Sequence, residues 1–199
     1  MQTVSIQGTV RAQVGKSDTK VVRAKEEIPC VLYGQKEIIH FTTNWNEVRH
    51  LIYTPDFKTA ELTINGQSYS AILKDVQFHP STEKILHIDF LKLTPGRSIN
   101  VSVPLRLQGS SPGVKSGGRL IQSVRKIKVK CVPEKLVDEV VLDISNLDLG
   151  QTVRVRDIQA QSGIEITMTA AIPVASIEIP RAMRQAATAE AKAAPGKKK

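Results

Sequence analysis

Residues 74–90, "KDVQFHPSTEKILHIDF", hold two histidines, two aspartates, one glutamate and two lysines. Such a set admits three chemistries: a metal site, an acid–base pair, or a polar surface that reads a ligand by hydrogen bonding. On an extended strand, Asp75, Gln77 and His79 project to one side, and Val76 and Phe78 to the other. On a second strand, His87 and Asp89 share a side, opposite Leu86, Ile88 and Phe90. "HPSTEK" between them reads as a turn, because Pro80 lacks the N–H that a central ladder needs. Joined this way, the strands make a hairpin with one apolar face and one polar face.

A zinc site is poorly supported. Seven residues separate the histidines and no cysteine is near. A His–Asp pair is a common catalytic unit, which keeps a hydrolase or a metal protein as the runner-up reading. The chain has no nucleophile elbow or phosphate-cradling glycine loop to go with it, so no enzyme, cofactor or small-molecule substrate is expected. A solvated sheet face is the simplest alternative. The remaining reading is an RNA-reading surface. The minor groove of RNA is wide and shallow and exposes 2′-hydroxyls and base edges, which both donate and accept. A rigid wall of Gln, His and Asp suits that groove, with Asp89 accepting from a base amino group, a 2′-hydroxyl or the neighbouring His87.

Phosphate contacts would come from elsewhere. "VRAQVGKSDTKVVRAK" holds Arg11, Lys16, Lys20, Arg23 and Lys25 against a single Asp18. If residues 18–25 are helical, Lys16, Lys20 and Arg23 share one face and Val21 and Val22 lie away from it. A plain solvated face explains the same charges. Tyr33 ends the "VLYG" run and would add a stacking or hydrogen-bonding contact, or else fill a core or rim position. Lys126, Lys128 and Lys130, and Arg154 with Arg156, are further candidates, because strand alternation places each set on one face.

The elements that must position these residues are mostly strands. Period-2 alternation runs through "TVSIQGTVRA", "IPCVLYG", 72–78 and 85–91. "AELTINGQSYSAIL" is a hairpin, since Asn65-Gly66 tolerates the positive φ angles of a tight turn. One helix is expected in "TTNWNEVRHLIYTP": Asn44 as N-cap, Glu47 completing a capping box, Trp45, Val48 and Leu51/Ile52 inward, His50 outward, and Pro55 as the stop. A boundary is expected in "LTPGRS", residues 93–98. Beyond it, Val101, Val103, Leu105 and Leu107 alternate with polar residues. "GSSPGVKSGG" reads as a loop. "RKIKVKCV", "EVVLDI", "TVRVRDI", "IEITMTA" and "PVASIEI" read as strands.

The 199 residues are 41% hydrophobic, enough for real cores. No stretch suits a membrane span, and "MQTVSIQGTVRAQ" lacks the features of a signal peptide. Cys30 and Cys131 lie in separate apolar stretches and read as buried, reduced thiols of a cytoplasmic protein. The net charge of +9 is uneven. Residues 1–93 carry 11 Lys+Arg against 10 Asp+Glu, residues 94–180 carry 11 against 8, and residues 181–199 carry 6 against 1. Polyanion binding by the first segment must therefore use a local patch. The Ala-rich basic segment 181–199 reads as a flexible tail.

"VRAQVGKSDTKVVR", "IPCVLYG" and "KDVQFHPSTEKILHIDF", in this order and spacing, resemble the bacterial large-subunit ribosomal protein L-twenty-five family, which binds 5S rRNA. "VPLRLQGSSPGVKSGGRLIQ" and "VDEVVLDISNLDLGQTVRVRDI" resemble the extra C-terminal domain of its long form, the general stress protein CTC type. The resemblance covers residues 1–180. It implies a mainly β fold with a few short helices: a small β-barrel domain over 1–93 and a β-rich domain over 94–180. It implies a structural protein of the central protuberance in the cytoplasmic ribosome, with 5S rRNA as partner and 23S rRNA and ribosomal proteins as neighbours. Carried over by motif, the RNA-contacting residues would be Arg11, Lys16, Lys20, Arg23, Tyr33, Gln77, His79, His87 and Asp89. The chain departs from the family pattern at Ser17-Asp18-Thr19, where Gly-Ala-Ser is usual. It also departs at Lys20-Val21, where two arginines are usual, and at Phe78, where a basic residue is frequent. These changes remove positive charge and add an acid; the C-terminal domain and tail are expected to compensate. An RNA-binding stress protein acting off the ribosome would present the same surface.

Overall fold

The structure is a computed structural model that describes residues 2–35, 37–158, 163–181, 183 and 185. Alternating apolar residues in the first part produce β1 (Gln2–Val10), α1 (Lys16–Ala24), β2 (Glu27–Tyr33), β3 (Ile38–Asn44), α2 (Trp45–Ile52), β4 (Lys58–Ile64), β5 (Gln67–Phe78) and β6 (Ile85–Lys92). The six strands close into a barrel in the order β1-β3-β2-β6-β5-β4. Parallel pairing of β1 with β4, with Ile6 opposite Leu62, makes the closure, and closure leaves no open edge.

Inward-facing residues fill the barrel. Ile6, Cys30, Leu32, Phe41, Leu62, Ile88 and Phe90 are all essentially inaccessible. Each large side chain of this kind contributes about 1.5–3 kcal/mol by leaving water. The Phe41 and Phe90 rings meet at 5.8 Å. A Cβ at Gly8 would lie 2.5 Å from the Phe41 ring, so only glycine fits β1 there. Asn65 (φ 49°) and Gly66 (φ 80°) form the expected two-residue turn between β4 and β5.

Several local expectations are corrected. β3 was not anticipated, although "IIHFTTN" is rich in β-branched residues; it pairs with both β1 and β2. Asn44 caps α2 without a side-chain bond, and no capping box forms. Glu47 instead accepts from the backbone N–H of Gln7 at 2.5 Å and from the Thr43 hydroxyl at 3.4 Å, tying α2 to β1 and β3. Val48 and Leu51 are buried as expected, but Trp45 is exposed.

The second half contains β7 (Ile99–Gln108), α3 (Pro112–Lys115), β8 (Arg119–Gln122), β9 (Lys126–Cys131), β10 (Val140–Asp143), β11 (Thr152–Arg154), β12 (Ile164–Ile166) and β13 (Pro173–Glu178). They form a four-stranded sheet, β10-β7-β9-β12, and a three-stranded sheet, β11-β13-β8. The stretch "GSSPGVKSGG" is not all loop. Buried Ser111 accepts from Val114 N–H at 3.1 Å, and Pro112 opens a single helical turn. β8, also unanticipated, pairs with β13. The fold is mainly β with short helices.

By backbone contact, the chain divides into two compact units, Met1–Val103 with Lys130–Asp138 and Pro104–Val129 with Glu139–Lys199. Both cysteines are free and buried, and burial pushes both thiols up from their ordinary range. The basic tail, 181–199, lies outside the described residues except for 181, 183 and 185.

Candidate nucleic-acid interface

The polar wall forms as the alternation requires. Antiparallel pairing of β5 with β6 sets Gln77 opposite His87 and Asp75 opposite Asp89. Ile88 and Phe90 point into the barrel. His87 Nδ1 lies 2.7 Å from Asp89 Oδ1, and both side chains are partly exposed. That bond holds the imidazole ring by Nδ1 and leaves Nε2 as the nitrogen available to a ligand. The Asp75 carboxylate accepts from Val76 N–H at 3.0 Å.

The wall continues onto β2. Parallel pairing sets Val31 beside Asp89 and Tyr33 beside Leu91, so Tyr33 shares the outer side with Val31. Burial, then the Asp89 and Asp75 carboxylates, push the Tyr33 phenol above its ordinary value of 10.0. At neutral pH it is a hydroxyl donor. His40 pairs with Val31 from the other side and extends the same face. Sequence reasoning missed it because β3 was missed.

Two residues leave the expected row. The β5–β6 register shifts between Gln77 and Phe78, and β5 ends at Phe78. Phe78, expected on the apolar face, is 44% exposed. His79 lies in the connecting turn rather than on the strand. Its Nδ1 accepts from Ser81 N–H (3.4 Å), the Ser81 hydroxyl (3.2 Å) and Thr82 N–H (3.3 Å). Backbone donors at Nδ1 put the ring proton on Nε2, which is left as an outward donor.

Beside the wall, α1 carries the cationic row. Lys16, Lys20 and Arg23 share one side, and all three are exposed. Val22 is buried, as the helical reading requires, but Val21 is 53% exposed. Asp18 in the first turn and Arg23 in the last complement the helix dipole. The helix is pinned at both ends. Arg11 donates to Asp18 Oδ2 from Nη2 (2.5 Å) and Nε (3.1 Å), and the Arg11 side chain is only 8% exposed. Arg23 donates to the Leu86 carbonyl from Nε (3.2 Å) and Nη2 (2.9 Å), which ties the last turn to β6. Lys16 and Lys20 are thus the cations that extend most freely from this face, Arg23 keeps donors to spare, and Arg11 is held by Asp18.

The second-tier cations divide. Lys126, Lys128 and Lys130 alternate with buried Ile127, Val129 and Cys131, as expected. Arg154 and Arg156 do not share a strand face. β11 ends at Arg154 after a register shift, and Val155–Asp157 is a 3-10 turn. Arg154 N–H is taken by Asp157 at 2.9 Å.

The structure also shows an exposed aromatic group that strand and helix periods do not reveal: Trp45, Tyr53 and Phe78 touch in a row. Trp45 at the first helical position and Tyr53 just past the last were the available signals.

Comparison with known proteins agrees with this architecture. Residues 6–90 match the Ribosomal L25p family, and residues 98–181 match the family described as Ribosomal protein TL5, C-terminal domain. The large ribosomal subunit protein bL25 of Amoebophilus asiaticus is 42% identical over 200 residues, covering 100% of both chains. That of Porphyromonas gingivalis is 40% identical over 189 residues, covering 94% of this chain and 98% of the relative. That of Cytophaga hutchinsonii is 38% identical over 192 residues, covering 96% and 100%. With identity of this order along nearly its whole length, the chain belongs to the bL25 family of large ribosomal subunit proteins, a family of ribosomal structural proteins and not of enzymes.

Proposed function

We propose that this protein is a structural component of the large subunit of the cytoplasmic ribosome and binds 5S rRNA in the central protuberance. The observation that carries the reading is a juxtaposition. The Gln77/His87–Asp89/Tyr33 wall mixes donors and acceptors on a rigid barrel, and α1 presents Lys16, Lys20 and Arg23 beside it. Lys16 and Lys20 neutralise phosphates and release counterions, and Arg23 adds donors while anchored on Leu86. Tyr33, Gln77, His79, His87 and Asp89 read 2′-hydroxyls and base edges in the minor groove of an irregular RNA helix. Arg11 contributes by holding Asp18 and the first turn of α1. Residues 1–93 serve as the 5S-binding domain. Residues 94–180 and the tail make further contacts, with 23S rRNA or neighbouring proteins.

The test is a gel-shift titration of the full chain with 5S rRNA, using tRNA as competitor at two salt concentrations. Tight binding that tRNA does not displace supports the reading. Weak binding displaced equally by tRNA overturns it.

A further inference from the structure

Trp45, Tyr53 and Phe78 are 45%, 57% and 44% exposed, yet they adjoin one another. Ring centroids lie 6.4 Å apart for Trp45–Tyr53 and 6.5 Å apart for Tyr53–Phe78, with planes inclined at 54° and 64°. Tyr53 meets Phe78 edge-on and Trp45 at a tilt; neither pair is stacked face to face, which leaves ring face for a flat partner. The Arg49 guanidinium sits 5.4 Å from the centre of the Trp45 ring. A continuous apolar patch left in water on a small barrel marks a site of interaction.

Trp45 and Tyr53 wall an open cleft of about 950 Å³. Arg23, Lys25 and Lys84 line it, as do Glu26, Glu27 and Glu83. A fourth carboxylate, Glu47, is already engaged by Gln7 and Thr43. The lining therefore combines ring faces, cations and acceptors. An apolar peptide would offer nothing to Lys25, Lys84, the spare donors of Arg23 or the three acids that line the cleft. A nucleotide uses all three kinds of group: base face, phosphate and exocyclic amine.

We propose that this cleft binds an unpaired nucleotide of an RNA strand, with its base stacked on Tyr53 beside Trp45. Its phosphate lies on Arg23, Lys25 or Lys84. The carboxylates accept from the exocyclic amino group, which adenine, cytosine and guanine carry and uracil lacks. The inference rests on the RNA-binding reading, because Arg23 and His79 belong to both the cleft and the interface.

Trp45 is the single tryptophan of the chain, so its emission reports on the cleft alone. The experiment titrates the full chain with hexaadenylate and with hexauridylate while following that emission. The expected result is saturable quenching by hexaadenylate and weaker binding of hexauridylate. Tyr53→Leu should weaken hexaadenylate about tenfold, in the range of a lost base–aromatic stack, and Tyr53→Phe should keep it. Unchanged emission at oligonucleotide concentrations well above those that shift 5S rRNA overturns the proposal. So does equal affinity in Tyr53→Leu. A response only to other large-subunit proteins, with none to oligonucleotide, overturns it in favour of a protein occupant. Lys20→Ala and His87→Ala keep the two readings apart: they should weaken 5S binding and leave hexaadenylate quenching unchanged.

Discussion

His87 and Asp89 act as one unit, because the Nδ1–Oδ1 contact of 2.7 Å orients both side chains. Removing either leaves the other without its bond, and on the proposed reading leaves an RNA group unpaired as well; losses of this kind run to about 1–3 kcal/mol. His87→Ala and Asp89→Ala should therefore weaken 5S binding with little change in its salt dependence. Lys20 is exposed on α1, and if it neutralises a phosphate as proposed, Lys20→Ala should flatten the salt slope by about one unit. Filter-binding isotherms at several salt concentrations check this; identical slopes for the two classes would refute the division. Tyr33 makes a pH prediction. Its phenol is raised by burial, then by Asp89 and Asp75, above 10.0. A folded-state value above the unfolded one means that its contribution to stability is complete below pH about 10 and is lost as pH rises through the folded value. Difference absorbance against Tyr33→Phe should show phenolate forming above pH 10, and Asp89→Asn should move that titration part of the way back down. A Tyr33 midpoint at or below the ordinary value would contradict the geometry. At this scale, strand alternation was enough to read Gln77, His87 and Asp89 from the sequence. It failed at Phe78 and His79, because a register shift follows Gln77, and a bulge has no period to detect.

Helix α1 shows why an apparent liability can be structural. Asp18 adds a negative charge to the row expected to face phosphates, and on charge alone its removal should strengthen RNA binding. In the structure, its carboxylate takes two donors from the nearly buried Arg11. Removing it leaves Arg11 with an unpaired charge, and breaking a buried pair destabilises more than the pair contributes. Asp18→Ala should therefore lower Tm, speed amide exchange across residues 16–24, and weaken 5S binding. Tighter binding would show that charge, not positioning, governs the residue. Elements as regular as β5, β6, β7 and β9 were legible because one face of each is buried and the other is wet. β3 was overlooked, although its residues favour a strand. The capping box at Asn44 failed for a tertiary reason: Glu47 finds Gln7 and Thr43 on neighbouring strands. Trp45, placed inward by helical spacing, turns out to meet Tyr53, a partner beyond the helix that the period cannot show.

Across the whole molecule, charge and shape are divided unequally. Residues 1–93, which hold the proposed RNA-reading surface, carry only 11 cations against 10 anions, whereas residues 181–199 carry 6 against 1. Sequence-independent attraction to RNA follows the number of phosphates neutralised, with log K falling by about 0.9 per contact as log salt rises. Discrimination follows the hydrogen-bonding wall instead. Affinity for any RNA should therefore reside disproportionately in the tail, and preference for one RNA in the barrel. Deleting residues 181–199, with their six cations, should flatten the salt slope for tRNA by up to about five units. It should weaken tRNA more than 5S rRNA, so that the preference for 5S rises even as absolute affinity falls. It should also release the protein from large subunits at lower salt. Competition isotherms and salt-wash sedimentation of the truncated chain measure both effects. Unchanged tRNA slope together with unchanged salt-resistant retention would place the non-specific contacts on the two β domains, with the Lys126/Lys128/Lys130 row of β9 the next group to neutralise.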